Sequence, residues 1–199
     1  MDERVAVQAR LRLASPEERT HGQFFEDTLS GLTALFGQEV AEEARSAVPL
    51  RVEKSLFSCP IGDLLRLTDA GALAAEQRGM CTYPGALERI GEFLGGSYLG
   101  SPVGQAFRRM TRGDLSKSME LSLASSRAVS SYGERRCELL GPGCARLIFR
   151  REVMGPLWIR GIYSRVFRAV SGDETVDAIV ENFHTSGMNF HLVYTWKPR

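Results

Sequence analysis

Three histidines, four cysteines and two dense groups of arginines are the side chains of this sequence best equipped for chemistry. Nucleophilic catalysis needs a hydroxyl or thiol within hydrogen-bond reach of a base. His21 stands in an early helical stretch, whereas His184 and His191 stand in the last hairpin-like segment. Serines are plentiful, but no Gly-x-Ser-x-Gly elbow occurs. Cys137 and Cys144 would approach His184 or His191 across a C-terminal sheet, and chance proximity in a core explains that better than a catalytic dyad. Gly95-Gly96 and Gly100 do not form a G-x-G-x-x-G fingerprint, and no Walker-type Gly-Lys-Ser/Thr is present. No catalytic residue is assigned, and the chain is not expected to be an enzyme.

Metal binding fares no better. Structural zinc sites use two closely spaced pairs of ligands. Of Cys59, Cys81, Cys137 and Cys144, only the last two are near each other, and a Gly-Pro-Gly turn lies between them. Reduced, buried or incidental thiols are the expectation, with no metal and no cofactor.

The arginines carry the charge pattern. Of 25 basic residues 22 are arginine, and the net charge is only +1. Residues 1–100 hold 10 basic and 15 acidic side chains, whereas residues 101–199 hold 15 basic and 9 acidic ones. Such polarity could orient a partner, an anionic ligand or a second copy of the chain; the plainer reading is a solvated arginine-rich surface. Arg108-Arg109 with Arg112 form one cluster, and Arg135-Arg136 with Arg146, Arg150 and Arg151 form the other. No helix-turn-helix, zinc-finger or RNA-binding signature accompanies them, and the near-neutral total argues against tight phosphate-backbone binding, so no nucleic-acid partner is expected.

The elements that must position these groups divide into two parts. Composition is that of a globular chain, with 43% hydrophobic residues and no low-complexity tract, and 199 residues suit one domain. No apolar run is long enough to span a bilayer, and the N-terminus has no apolar signal core, so a cytoplasmic location is expected by default. Residues 1–20 read as a lead-in. Val5, Val7, Leu11 and Leu13 alternate with polar residues and predict a strand, and Ser15-Pro16-Glu17-Glu18 has the form of a helix start. Residues 21–130 are mainly helical. Phe24, Phe25, Leu29, Leu32, Leu35 and Phe36 build one face before Gly37, and a second helix runs over Gln38–Ala47. Ile61–Leu67 fits a short helix opened by Ser58-Cys59-Pro60, and Ala70–Gln77 fits another, although the order of residues 50–79 is not legible. Further helices follow Tyr83-Pro84-Gly85, Ser101-Pro102 and Leu115.

At Tyr132 the periodicity changes. Ser131–Leu140 and Arg146–Arg151 predict two strands around Gly141-Pro142-Gly143-Cys144. Gly155-Pro156 opens a helix with Trp158, Ile162, Val166 and Val170 on its apolar stripe and Gly172 at its end. Val176–Phe183 and Met188–Trp196 form a second hairpin around Ser186-Gly187. The predicted fold class is α+β: a helical N-terminal two-thirds packed on a C-terminal β-β-α-β-β antiparallel sheet over residues 131–199.

The segment Tyr132-Gly133-Glu134-Arg135-Arg136, then Leu140-Gly141-Pro142, Arg150-Arg151, Gly155-Pro156 and Gly161, resembles an uncharacterised myxobacterial paralogous family without established activity. More distantly, Gly22-Gln23-Phe24-Phe25 with Leu29, Leu32, Phe36-Gly37 and Glu39, followed by the β-β-α-β-β tail, is similar to the haem-NO-binding and V4R ligand-binding domains. That resemblance implies a pocket between helices and sheet. Haem-NO-binding domains use a helical histidine as iron ligand and a Tyr-x-Ser-x-Arg motif for the propionates. Here Leu147 and Phe149 hold the tyrosine and serine positions and only Arg151 matches, while no histidine occurs between Tyr83 and Val129.

In an implied pocket Leu147, Phe149, Trp158, Ile162, Tyr194 and Trp196 supply apolar walls. Strand alternation puts Arg151 beside Leu147 and Phe149, where it could hold an anionic head group. The alternative is a surface arginine paired with Glu134, Glu138 or Glu152. The resulting expectation is a non-catalytic regulatory or adaptor protein that binds an apolar or amphipathic small molecule, or a protein partner, between its helical half and sheet. A homodimeric interaction module without a small-molecule ligand is the first alternative, and a haem-based gas sensor the second.

Overall fold

A computed structural model describes residues 2–49, 59–181 and 187–197. The helical part begins earlier than the alternation of residues 5–13 predicts. Helix α1 spans Glu3–Leu13, capped by Asp2, whose carboxylate accepts from the Arg4 amide at 3.0 Å. The residues it buries, Glu3, Ala6, Val7 and Arg10, recur at i, i+3, i+4 and i+7, while Val5 and Leu13 face solvent. The helical period, carried by Ala6 and Val7 together with a charged pair, decides the element.

Ser15-Pro16-Glu17-Glu18 makes a turn and not a helix. Two local side-chain bonds close it: the Glu17 amide donates to Ser15 Oγ at 3.3 Å and the Ser15 amide to Glu18 Oε2 at 2.8 Å. The chain then extends as β1 (Arg19–Thr20), which pairs antiparallel with β2 (Cys59–Pro60), and Thr20 also bridges to Ser130. Cys59-Pro60 therefore belongs to a strand, and the following helix starts at Ile61.

Helices α2 (Gln23–Phe36) and α3 (Gln38–Ser46) meet at Gly37, whose φ of 93° turns the corner. Helix α4 runs unbroken over Ile61–Gln77, where two helices were predicted. Gly71 lies in its middle because a Cβ there would enter the Leu32 side chain of α2, so the glycine marks close packing and not a break. Helices α5 (Tyr83–Gly100), α6 (Pro102–Thr111) and α7 (Leu115–Val129) follow the predicted order. Each is capped by a side-chain oxygen, from Thr82, Ser101 and Asp114 respectively.

The tail is the predicted β-β-α-β-β unit: β3 (Glu134–Gly141), β4 (Cys144–Arg150), α8 (Pro156–Ser171), β5 (Ala178–Glu181) and β6 (Phe190–Thr195). The sheet order is β3-β4-β6-β5, antiparallel throughout. Residues 50–58 and the predicted turn at Ser186 lie outside the described residues. Along β4 and β6 burial alternates: Ala145, Leu147, Phe149, Phe190, Leu192 and Tyr194 face the helices, and Arg146, Ile148, His191 and Val193 face away.

Helix α8 lies across the inner sheet face and packs against α5. At their crossing a Cβ on Gly91 would meet the Trp158 carbonyl, one on Gly161 would meet the Glu88 carbonyl, and one on Gly95 would sit 2.7 Å from the Ile162 carbonyl. These two helices touch backbone to backbone. Ion pairs of Arg160 with Glu88 (2.5 Å) and Arg168 with Glu92 (3.1 Å) run along the edge of the contact. The mixed α+β class stands as predicted.

Candidate functional site

The sheet's inner face was the predicted site, and its residues do converge. Leu147 and Phe149 on β4 and Tyr194 on β6 are fully buried, and Trp158 on α8 is nearly so. They converge by filling the space. Phe149 stacks on Phe190 at 4.9 Å between ring centres and meets Tyr163 at 5.7 Å. Tyr163 continues to Phe167 at 5.6 Å, and Phe167 meets Tyr194 edge-on at 5.1 Å. Such a chain of offset and edge-to-face rings is core packing. The Tyr194 hydroxyl lies 3.4 Å from Ser164 Oγ, which donates to Asp177 at 3.0 Å. Burial pushes the Tyr194 phenol far above its ordinary value. Ile162 lies half-buried on α8 beside Gly95. Trp196 follows the end of β6 and lines an open cleft at another place on the surface.

Arg151 leaves the strand. Its φ of 53° breaks the alternation that placed it beside Phe149, and its exposed side chain pairs with Glu18 at 2.8 Å. Its partner is none of the three glutamates expected. Glu134 instead faces Arg136, and Glu138 faces Arg146.

The third, Glu152, belongs to a site that sequence reasoning missed. It is fully buried and accepts both the Nε (3.1 Å) and Nη2 (2.6 Å) donors of Arg135. Arg135 also lies over the Tyr132 ring at 5.3 Å. Burial by itself would lower the Arg135 pKa, but the Glu152 carboxylate raises it above its ordinary value. A second buried pair joins Arg10 to Glu3 at 2.5 Å, with the guanidinium packed on Gly155 at the start of α8. A third polar contact runs from the Tyr83 hydroxyl to Asp69 at 2.5 Å. Nothing in the spacing of these residues distinguishes them from surface charges. The one legible sign is Gly155, where no side chain fits above the guanidinium.

The same geometry tests a haem. No histidine lies on α5, α6 or α7. His21 precedes α2 and accepts the Gln23 amide at Nδ1. His191 sits on the outer sheet face, and His184 lies outside the described residues. The interior that a porphyrin would need holds Phe149, Tyr163, Phe167 and Phe190 instead. These residues do not fit the group. Among the described residues no three His, Cys, Asp or Glu side chains gather as metal ligands. Cys137 and His191 lie on opposite faces of the sheet, too far apart in direction to form a dyad.

The outer sheet face carries half-exposed and exposed side chains. In one cross-strand row Arg136, Ile148, His191 and Glu181 stand side by side, and in the next Glu138, Arg146, Val193 and Ile179. Ile179 is 69% exposed. Arg146 lies between Glu138 (3.5 Å) and Glu181 (3.6 Å).

Residues 20–196 match the model of a family described as a protein of unknown function, DUF2378. The chain belongs to that family. No curated protein matches it. Among solved structures it is similar to an unliganded Fe(II) H-NOX protein from K. algicida, a point mutant, with a TM-score of 0.67 at 13% identity, covering 88% of this chain and 95% of that one. It is also similar to a mutant Fe(II) H-NOX protein from S. oneidensis (TM-score 0.64, 15% identity, 90% and 97% covered). A mutant H-NOX from T. tengcongensis gives 0.60 at 11% identity, covering 89% and 97%. At such identities the likeness is one of fold, and the fold of this DUF2378 member is H-NOX-like. Among the described residues no helix is long and apolar enough to cross a membrane.

Proposed function

We propose that this DUF2378 member is a cytoplasmic, non-catalytic regulatory or adaptor protein that binds a protein, a second copy of itself, on the outer face of its four-stranded sheet. The observation that carries this reading is the make-up of that face. Arg136 on the β3 edge and Glu181 on the β5 edge share one cross-strand row. When two such faces meet about a two-fold axis parallel to the strands, β3 of one copy lies over β5 of the other. Each Arg136 then stands opposite the Glu181 of the second copy; Ile148 and Val193 supply the apolar middle, and Ile179 an apolar edge. The face is only four strands wide, at about 4.8 Å per strand, which places the association in the weak, transient class.

The leading expectation from the sequence, a small molecule held between helices and sheet, has less support because aromatic side chains occupy that space. The haem sensor has less still, since among the described residues the H-NOX-like fold offers no fitting iron ligand. Native mass spectrometry of protein purified from its own host tests the reading. The expected spectrum is a monomer–dimer mixture with no retained small molecule. A strictly monomeric species that carries a bound apolar molecule would overturn it.

A further inference from the structure

The arginine cluster of α6 is not used by the proposed dimer face, and its surroundings form a site of their own. At one end of the molecule the α6–α7 connection, the β3–β4 turn, the α8–β5 turn and the chain after β6 enclose a cleft of about 640 Å³. Arg112, Ser116, Pro142, Trp196 and Lys197 are among its walls. Arg112 is shared with an adjoining cleft of about 360 Å³ bounded by Arg109, Met110 and Lys117. Arg112 borders both clefts.

The charges along these clefts are unbalanced. Ten arginines elsewhere on the molecule pair with carboxylates. Among the described residues the side chains of Arg109, Arg112 and Lys117 have no such partner. The two carboxylates nearby are committed locally. Asp114 caps α7 by accepting the Lys117 amide at 3.0 Å. Asp173 accepts the Thr175 hydroxyl at 2.6 Å and its amide at 2.9 Å, and these bonds hold its carboxyl below the usual range, with Lys197 adding to the effect. Arg112 stands at φ 50° and Gly113 at φ 83°, so the connection turns sharply at the clefts. The left-handed Arg112 is the C-cap of α6, its amide donating to the Arg108 carbonyl at 3.1 Å, and this cap fixes the direction in which the connection leaves the helix.

We propose that these adjoining clefts bind an organic phosphate: the phosphoryl group against Arg112, Arg109 and Lys117, and an aromatic or apolar portion against Trp196 and Met110. Guanidinium forks match phosphate oxygens in pairs, and unpaired cations in a cleft raise the local concentration of anions. The half-buried indole and the exposed Met110 supply the apolar contact such sites combine with a few charged anchors. The phosphate could be carried by a free metabolite or by a phospholipid head group; the chemistry is shared.

Trp196 fluorescence reads the site, with Trp196→Phe identifying its signal against that of the buried Trp158. The full-length protein is titrated with AMP, with inorganic pyrophosphate, and with phosphatidylcholine vesicles containing about 30% phosphatidylglycerol, against pure phosphatidylcholine. Saturable binding of AMP, competed by pyrophosphate, is the expected result and identifies a free organic phosphate. Binding confined to the anionic vesicles also supports the site and assigns its phosphate to a lipid. In either case Arg112→Asn, which keeps a residue tolerant of the left-handed backbone, weakens binding about tenfold or more, and Arg109→Gln adds to the loss. No saturable response to any probe, or binding that Arg112→Asn leaves unchanged, would overturn the proposal.

Discussion

Replacing glycines along α5 with alanine gives a graded probe of whether α5 and α8 leave room between them. Alanine in a helix interior gains about 1 kcal/mol over glycine. At Gly96 the nearest atom to an added Cβ is Arg165 Nε at 3.8 Å, ordinary contact, so Gly96→Ala should stabilise by up to about 1 kcal/mol. At Gly95 the Cβ would lie 2.7 Å from the Ile162 carbonyl, inside the 3.0 Å that real Cβ atoms respect. Overpacking of about 1–2 kcal/mol there offsets the gain or slightly exceeds it. At Gly91 the Cβ would be driven into the Trp158 carbonyl, and neither backbone can yield without parting the helices. A strain of about 3 kcal/mol or more then leaves a net loss of about 2 kcal/mol. For a chain of this size that is a fall in Tm of roughly 4–8 °C for Gly91→Ala, against a rise of up to roughly 4 °C for Gly96→Ala. Thermal unfolding followed by circular dichroism, with urea titration as a second probe, measures the series. If Gly91→Ala melts at or above the parent temperature, α5 and α8 are not in backbone contact and room remains between them.

The buried Arg135–Glu152 pair makes a second prediction: Glu152→Ala strands a buried guanidinium and should cost about 3–5 kcal/mol, while Arg135→Met with Glu152→Leu should come close to neutral, both read by urea unfolding. All five tyrosines sit above their ordinary pKa chiefly because burial disfavours the phenolate, Tyr163 at about 12. The folded chain therefore keeps protons that the unfolded chain releases near pH 10, so stability holds below that pH and falls steeply as pH rises beyond it. Tyrosinate absorbance should appear together with unfolding; a native protein that gains it at pH 10 would contradict the burial. Burial likewise pushes the Cys59 thiol up to about 12 and the Cys137 thiol to about 11. Buried Cys59 should react with Ellman's reagent at pH 8 no faster than the chain opens, and partly exposed Cys137 should react slowly; immediate labelling of Cys59 would refute this.

The tail was largely legible because its signals are local. Two-residue periodicity, the Gly-Pro-Gly turn and the Gly155-Pro156 helix start fix four strands and a helix, with strand ends displaced by a few residues. The N-terminal helix was misread because its buried face includes Glu3 and Arg10, which a search for apolar spacing discards. Helix α4 was divided between Leu67 and Ala70, yet Thr68 in that gap is buried, its hydroxyl donating to the Leu64 carbonyl at 2.9 Å within one continuous helix. Of the site residues, Leu147, Phe149, Trp158 and Tyr194 were legible as buried neighbours but not in their role, whereas Arg151 and Trp196 lie elsewhere. Whether facing apolar residues line a cavity or fill it depends on ring orientation and helix spacing, and neither is written in residue type. Arg151 shows the same limit: one left-handed residue reversed the side that alternation assigned to it.

Sedimentation equilibrium of charge-reversed variants tests the outer sheet face as a self-association surface most directly. The wild-type protein should form a weak dimer, and Arg136→Glu or Glu181→Arg alone should weaken it about tenfold by placing like charges opposite each other. Combining the two should restore most of the loss. A wild-type chain that stays monomeric at the highest attainable concentration, or a double variant no tighter than either single one, would contradict that docking.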